Sequence, residues 1–206
     1  MKTKQIGTDL KGLLPIFVRL RGQRVLLVGG GTMATLRARQ FLRAGARLTV
    51  VSPEASFQLR RLASTRALTW VKREFVSSDV SRRYFMIVGA TDDPRVQAAI
   101  SKAAESKRLL YNVVDAPAHC NFITPAVVER GDLKIAICTL GRSPALSGLM
   151  RKEIDSALPR SAVDWLRVLG RLRKSLKRLF PDDLKKQKAL LKYLLIKARE
   201  NQLPNL

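Results

Sequence analysis

Small residues follow one short apolar run at a regular spacing. The run Val25–Val28 precedes Gly29, Gly31 and Ala34, which fill the three small-residue positions of the pattern G-x-G-x-x-A. At such a turn the first glycine permits tight bending, the second lets the backbone approach a pyrophosphate, and the third small residue lets the following helix pack near the strand. The helix start also offers free N–H groups to phosphates. The pattern therefore predicts a dinucleotide site, with a purely structural glycine turn as the alternative.

Polar residues stand where three further predicted strands end. They are Ser52–Glu54, Thr91–Asp93, and the pair Asn112 and Asp115. The carboxyl ends of parallel strands meet at one edge of a sheet, which is the edge where α/β sheets bind ligands. We therefore expect these side chains to converge with the glycine turn.

Strands and helices must alternate to place these residues together. Apolar, β-branched runs alternate with helical segments along the first half of the chain. The predicted strands are 25–28, 47–51, 68–71, 84–90 and 109–114, and the predicted helices are 34–44, 54–64 and 94–107. This alternation predicts an α/β fold with a Rossmann-like parallel sheet and right-handed crossovers. Upstream, Pro15 interrupts the apolar run Leu13–Val18, which favours an edge strand or a packed lead-in.

The pattern changes after the last of these strands. Residues 133–139 alternate between apolar and other side chains, as a strand with one half-buried face does. A helix is predicted over 144–158, and two basic amphipathic helices follow, separated at Pro181. We therefore divide the chain into a Rossmann-like NAD-binding domain (1–114), a small α+β segment (115–150) and a C-terminal helical region (151–206).

The composition is strongly basic. The 206 residues include 39 Lys and Arg against 16 Asp and Glu, which gives a formal net charge of +23. Such a charge suits nucleic acid, an anionic membrane surface or a polyanionic small molecule. Zinc-ligand spacing, an RNP-type aromatic pattern and a recognition helix are absent from the sequence, so specific nucleic-acid binding is not expected.

The sequence also favours a soluble location. No apolar run approaches the roughly 18 residues of a membrane span, and the polar N-terminus does not resemble a signal peptide. Membrane attachment through the basic tail is the weaker alternative to packing on the body or on a second subunit. Two cysteines, Cys120 and Cys138, make no disulfide framework, which indicates a reducing, cytoplasmic setting.

Taken together, these motifs resemble the precorrin-2 dehydrogenase/sirohydrochlorin ferrochelatase family, which forms the N-terminal module of siroheme synthases. The similarity spans about residues 13–160. The matching segments are Leu14–Phe17, Val28–Gly31 with Ala34 and Arg37, Gly45–Ala46, Ala90–Asp93, Asn112–Pro117, Phe122–Pro125 and Ser143–Ala145. No methyltransferase region follows, so the chain is similar to the stand-alone members.

The resemblance implies an activity and an assembly. The family oxidises precorrin-2 to sirohydrochlorin with NAD⁺ as the hydride acceptor, and some members also insert Fe²⁺. A Rossmann-like domain, a central dimerisation segment and a helical part form an intertwined homodimer. The implied substrate is an anionic tetrapyrrole, and its carboxylates suit the positive charge of the chain.

Site residues carry over position by position. Asp115 matches the general base of the family, although an aspartate ahead of Pro117 is also ordinary turn chemistry. Asn112, Thr139 and Arg142 are implied substrate contacts. The implied cofactor contacts are Gly29, Gly31, Thr32, Met33, Ala34, Pro53, Glu54, Thr91 and Asp92.

Two departures from the family pattern leave alternatives open. The acid expected at the end of the second strand is replaced by Ser52–Glu54, with Arg60 and Arg61 nearby, so the preference for NAD over NADP is weakened. The single histidine, His119, stands beside Cys120, and this pair does not make a metal site. Iron insertion therefore remains open, and a catalytically silent NAD- or tetrapyrrole-binding carrier or sensor is the alternative function.

Overall fold

The computed structural model describes residues 12–159 and 161–200, and describes the side chains as far as residue 196. These residues fall into two compact units that divide between Thr124 and Pro125. The functional segments 1–114, 115–150 and 151–206 stay a prediction. Their residues 1–11, 160 and 201–206 lie outside the described part of the chain.

The first unit contains a parallel sheet of five strands with three helices. The strands are β1 (Arg24–Val28), β2 (Arg47–Val51), β3 (Thr69–Val71), β4 (Met86–Gly89) and β5 (Leu110–Val113). The helices are α1 (Thr32–Arg43), α2 (Phe57–Ser64) and α3 (Pro94–Ser106). The strand order is β3-β2-β1-β4-β5, with all neighbours parallel. This order confirms the predicted Rossmann-like sheet, and the order reverses between β1 and β4, where such sheets bind nucleotides.

Both faces of the sheet are covered, which explains why β1 is apolar throughout. Side chains alternate between the two faces of a strand. Leu27 accordingly packs with Ala34 and Ala38 of α1, whereas Leu26 packs with Ile100 of α3 on the opposite face. All five of these residues are fully buried. The glycine turn therefore rests on a strand that is held from both sides.

The second unit pairs a β-hairpin with helices, of which the sequence predicted the helices and the second strand but not the first strand. Its elements are β6 (Ala126–Arg130), β7 (Leu133–Ile137), α4 (Pro144–Ala157), α5 (Ala162–Leu179) and α6 (Leu184–Glu200). Arg130 joins the hairpin to the end of α4, because its Nε donates to Asp155 Oδ1 at 3.0 Å and its Nη1 donates to the Leu158 carbonyl at 2.6 Å. No helix within the described ranges combines the length and the apolar composition needed to cross a membrane.

Two local predictions differ from the structure. The second helix begins at Phe57 and not at residue 54, because the Ser56 side chain caps it by accepting a hydrogen bond from Leu59 N. The prediction of an edge strand or a packed lead-in over residues 13–18 is wrong. The segment has no strand structure, and Leu14 and Phe17 are 80% and 72% exposed. Because Pro15 lacks an N–H group, it cannot donate to a neighbouring strand.

Candidate active site

The first glycine of the turn is fixed by its neighbours. Gly29 has φ +118°, and a Cβ there would lie 2.1 Å from the Ala90 carbonyl oxygen. Its N–H donates to Val51 O at 2.9 Å, and Ala90 N donates to Val28 O at 2.7 Å. The turn therefore sits between the ends of β2 and β4, at the point where the strand order reverses, and only glycine fits.

The middle glycine of the turn, Gly30, is equally constrained, which the motif did not predict. A Cβ on Gly30 would lie 1.8 Å from the Glu54 carbonyl oxygen and 2.7 Å from Ser52 Oγ. The Gly30 carbonyl accepts a hydrogen bond from Ser56 N at 2.8 Å. The turn between β2 and α2 thus closes directly over Gly30. The available signal was that Gly30, the middle of three consecutive glycines, stands at a position where the motif allows any residue.

The start of α1 is open on the side that an anion would approach. A Cβ on Gly31 would meet nothing within 4 Å, and Thr32 and Met33 are exposed. No side chain caps this helix, and its first turn carries no acid. Because the first N–H groups of a helix have no intrahelical acceptor, this end suits the pyrophosphate of a dinucleotide.

The predicted adenosine-side residues lie beside the same turn. Ser52 is buried, its Oγ donates to the Glu54 carbonyl, and its own carbonyl accepts a hydrogen bond from Trp70 Nε1 at 3.0 Å. Pro53 and Glu54 are exposed. The structure therefore brings them next to the glycine turn, with the Ser52 hydroxyl already used inside the protein.

The residues after β4 form the start of α3. Thr91 Oγ1 accepts a hydrogen bond from Asp93 N at 3.3 Å, and the Thr91 carbonyl accepts one from Gln97 Nε2 at 2.8 Å. Asp93 caps the helix by accepting from Arg95 N at 2.8 Å, and the hydrogen bond from the Arg95 side chain lowers the pKa of Asp93. Asp92 is exposed at the same edge.

The two candidate residues at the end of β5 differ in their surroundings. Asp115 is exposed and has φ +59°, a left-handed conformation that Asp tolerates in turns. Asn112 is buried, and its Nδ2 donates to Phe122 O at 3.0 Å and to Cys120 Sγ at 3.3 Å. Both amide hydrogens of Asn112 thus hold the loop that follows Asp115. Its role as a substrate contact stays a prediction.

The histidine and the neighbouring cysteine are also tied into this loop. Ser101 Oγ lies 3.0 Å from His119 Nδ1, and Cys120 Sγ accepts a hydrogen bond from Val113 N at 3.2 Å. Burial raises the pKa of the Cys120 thiol, and both Cys120 and Cys138 are free. Within the described residues, no group of three or more His, Cys, Asp or Glu side chains is arranged to hold a metal ion.

Thr139 and Arg142 belong to the second unit. Thr139 Oγ1 donates to Ser143 O at 3.0 Å, lies 2.9 Å from Ser147 Oγ and accepts a hydrogen bond from Ser143 N at 3.3 Å. Arg142 is exposed, in a turn where Leu140 has φ +53°. Thr139 therefore organises the turn before α4, and Arg142 is the more available group for a ligand.

One half-buried cation of the first unit was not predicted as a site residue. Arg37 of α1 is half-buried, and its Nη1 donates to Gln40 Oε1 at 3.1 Å. Its Nε is buried without a hydrogen-bond partner. Burial lowers the pKa of Arg37, and the negative charge of Asp115 opposes that shift. Sequence reasoning noted Arg37 only as a motif residue, since helix periodicity does not reveal which strand end it faces.

Comparison with known proteins identifies the family. The family model described as "Putative NAD(P)-binding" matches residues 16–126, more than half of the chain. The solved structure titled "SirC, precorrin-2 dehydrogenase" superposes with a TM-score of 0.74 at 29% identity, covering 91% of this chain and 96% of that one. The chain belongs to the family described as putative NAD(P)-binding. This membership confirms a nicotinamide cofactor, and the similarity to SirC and to siroheme synthases confirms the predicted resemblance.

Curated proteins that are similar to this chain in sequence include siroheme synthases. The siroheme synthase of Photorhabdus laumondii is 37% identical over 164 residues, which are 80% of this chain and 35% of that protein. Siroheme synthase 2 of Klebsiella pneumoniae is 40% identical over 167 residues, which are 81% of this chain and 36% of that protein. The chain therefore spans about a third of the length of these curated relatives.

Proposed function

We propose that this chain dehydrogenates precorrin-2 to sirohydrochlorin with NAD⁺ as the hydride acceptor. The observation that carries the proposal is the similarity to SirC, a precorrin-2 dehydrogenase, over 96% of its chain. The matches to siroheme synthases support the same substrate class. An anionic tetrapyrrole also agrees with the net charge of +23, because a basic protein attracts a polycarboxylate over long distances.

The residues of this chain divide the reaction between binding and proton transfer. NAD⁺, when bound, would supply the hydride acceptor. The open helix start at Gly31, Thr32 and Met33 would hold its pyrophosphate, and Ala34, fully buried, lets α1 begin close to β1. Asp115, exposed at the carboxyl edge of the sheet, takes the proton that leaves as the hydride departs. One hydride and one proton leave precorrin-2, so the step balances as NADH and H⁺.

The choice of NAD over NADP belongs to the same proposal. Glu54 is exposed beside the glycine turn and is the acid in this part of the fold that can accept hydrogen bonds from the ribose hydroxyls. Arg60 is exposed on α2 and would favour a 2′-phosphate. We give Glu54 the larger weight, because the Glu54 carbonyl lies directly against the turn that would hold the pyrophosphate.

The proposal extends to the setting of the enzyme. We infer a cytoplasmic homodimer, since the family resemblance implies dimers and the two free cysteines suit a reducing compartment. Thr139 and Arg142 would contact substrate, as would Asn112, and Thr91 and Asp92 would contact the cofactor. Fe²⁺ would be the second substrate of an iron-insertion step on the product.

The test uses anaerobic turnover of precorrin-2 with NAD⁺, followed by the absorption spectrum of sirohydrochlorin. Wild type should turn over, and Asp115→Asn should lose roughly a hundredfold or more in kcat, because general acid–base groups contribute about that much. The variant should keep its affinity for NAD⁺, measured by calorimetry. Addition of Fe²⁺ to the wild-type product reports iron insertion in the same cuvette.

The matched control is Asp132→Asn, which changes an exposed aspartate between β6 and β7. This control should behave as wild type does. Turnover with NADP⁺ in place of NAD⁺ should be slower for wild type. A wild-type protein that binds NAD⁺ but does not oxidise precorrin-2 would contradict the dehydrogenase proposal and favour the carrier or sensor function.

A further inference from the structure

Arg37 is a half-buried cation, and its hydrogen bonds within the protein do not explain why it is buried. Its Nε is buried without a hydrogen-bond partner, and its one side-chain hydrogen bond goes from Nη1 to Gln40 Oε1, on the same helix. A buried donor without an acceptor lowers stability. Charged groups that are desolvated in this way occur preferentially at functional sites.

The loop that follows the proposed base returns to the face of the sheet that α1 covers, because Phe122 packs against the apolar cluster that contains Ala34 and Ala38, on either side of Arg37. Asp115 is the group whose charge acts on Arg37. Among the ion pairs of the described residues none joins Arg37 to a carboxylate, so the two charges attract each other at longer range than direct contact. Arg37 therefore has a guanidinium nitrogen that can bind a ligand. Its Nη2 has no protein acceptor among the described hydrogen bonds.

A polycarboxylate substrate creates a local problem that this cation solves. Precorrin-2 would bring its own carboxylates towards Asp115, and like charges a few ångströms apart repel strongly at a partly desolvated site. A guanidinium between them offsets that repulsion and can bind a carboxylate through two parallel hydrogen bonds.

We propose that Arg37 binds a side-chain carboxylate of the tetrapyrrole beside Asp115. The proposal rests on the proposed function for the identity of the substrate and deepens it by assigning a binding residue on α1. Because α1 also begins at the cofactor turn, one helix would hold the pyrophosphate at its start and the substrate carboxylate one turn later.

The experiment compares Arg37→Met with Arg37→Lys, and uses Arg39→Met as the matched control. Arg39 lies on the same helix and is exposed. Arg37→Met should raise the KM for precorrin-2 roughly tenfold to a hundredfold, the loss expected for a charge-assisted hydrogen bond. The KM for NAD⁺ should stay within about twofold, Arg37→Lys should recover part of the loss, and Arg39→Met should match wild type.

Thermal unfolding separates this role from a structural one. Because Met removes the unpaired Nε and the desolvated charge, Arg37→Met should unfold at the wild-type temperature or above it. A lower unfolding temperature together with weakened binding of both NAD⁺ and tetrapyrrole would overturn the inference. An unchanged KM for precorrin-2 would also overturn it.

A binding titration keeps this inference distinct from the dehydrogenase proposal. Sirohydrochlorin is titrated into wild type and Arg37→Met without NAD⁺, and binding is followed by its absorption spectrum. Weaker binding to Arg37→Met supports the inference even where wild type oxidises no precorrin-2. Equal binding to both proteins, or no binding to wild type, overturns it.

Discussion

At the scale of single residues, the glycine turn contains three glycines with three different constraints. Gly29 has a left-handed backbone and sits against Ala90 O, whereas Gly30 sits against the Glu54 carbonyl. Gly31 has open space where a Cβ would lie. The fold therefore requires glycine only at the first two positions. The open space at Gly31 allows a ligand to approach the start of α1.

This difference predicts opposite outcomes for two neighbouring substitutions. Gly30→Ala forces a Cβ to within 1.8 Å of a backbone oxygen, so it should unfold the protein or lower the unfolding temperature by many degrees. Gly31→Ala should unfold as wild type does and bind NAD⁺ at least tenfold more weakly, because its methyl group occupies the pyrophosphate position. Thermal unfolding and NAD⁺ calorimetry on both variants check this. Equal stability of the two would contradict it.

At the scale of elements, the connection from β3 to β4 is held by one ion pair. Arg73 Nη1 donates to Asp79 Oδ2 at 2.8 Å, and Val76 N donates to the same oxygen at 3.0 Å. The hydrogen bond from Arg73 lowers the pKa of Asp79, whose side chain is 11% exposed. The connection places Val80 and Tyr84 in the apolar cluster that packs on α3. The ion pair between Arg73 and Asp79 therefore holds a long loop in place.

The lowered pKa of Asp79 sets the pH dependence of its contribution. A carboxyl group whose pKa is lower in the folded state stabilises the protein above its ordinary pKa, near 4, and loses that contribution as the pH falls through the folded value. Asp79→Asn should therefore be less stable than wild type in urea at pH 7, and the difference should shrink below about pH 4. Asp182→Asn, at an exposed carboxylate, is the control. A difference that is constant from pH 7 to pH 3 would exclude this explanation.

Sequence reasoning succeeded where local chemistry decides the structure. The bounds of β2 and the start of α3 at Pro94 were predicted correctly, because β-branched runs and a capped proline are local signals. The effect of the Asp115 charge on Arg37 could not be predicted, since it depends on how α1 lies relative to β5. The segment near Pro15 failed for a related reason: its apolar residues say nothing about whether a sheet edge is available to them.

At the scale of the whole molecule, the charge of +23 is the dominant feature. Within the described residues, ion pairs neutralise basic groups at a few positions only, such as Arg130, which pairs with Asp155. Charges that remain in water act together, so their effect on a ligand grows with the charge of the ligand and falls with salt.

The electrostatic field of the positive net charge predicts different salt dependences for precorrin-2 and NAD⁺. Raising NaCl from about 0.05 to 0.5 M should lower kcat/KM for precorrin-2 roughly tenfold, because its many carboxylates feel the whole protein. The KM for NAD⁺, which carries a small net charge, should change much less. Arg37→Met should keep the salt dependence, since one charge contributes little to the total. Sucrose at matched viscosity is the control, and equal slopes for the two ligands would contradict the prediction.

The turn that closes over Gly30 limits how the cofactor preference of this protein can be altered, in the laboratory or by evolution. In dinucleotide-binding folds an acid near the end of the second strand binds the ribose hydroxyls of NAD, and an arginine nearby accommodates the 2′-phosphate of NADP. Here the residue at the end of the second strand is Ser52, which is buried and bonded within its own turn beneath Trp70. A carboxylate introduced there would be desolvated against a carbonyl oxygen. Exposed Glu54 and Arg60 are therefore the positions through which a lineage can exchange one dinucleotide for the other while keeping its fold.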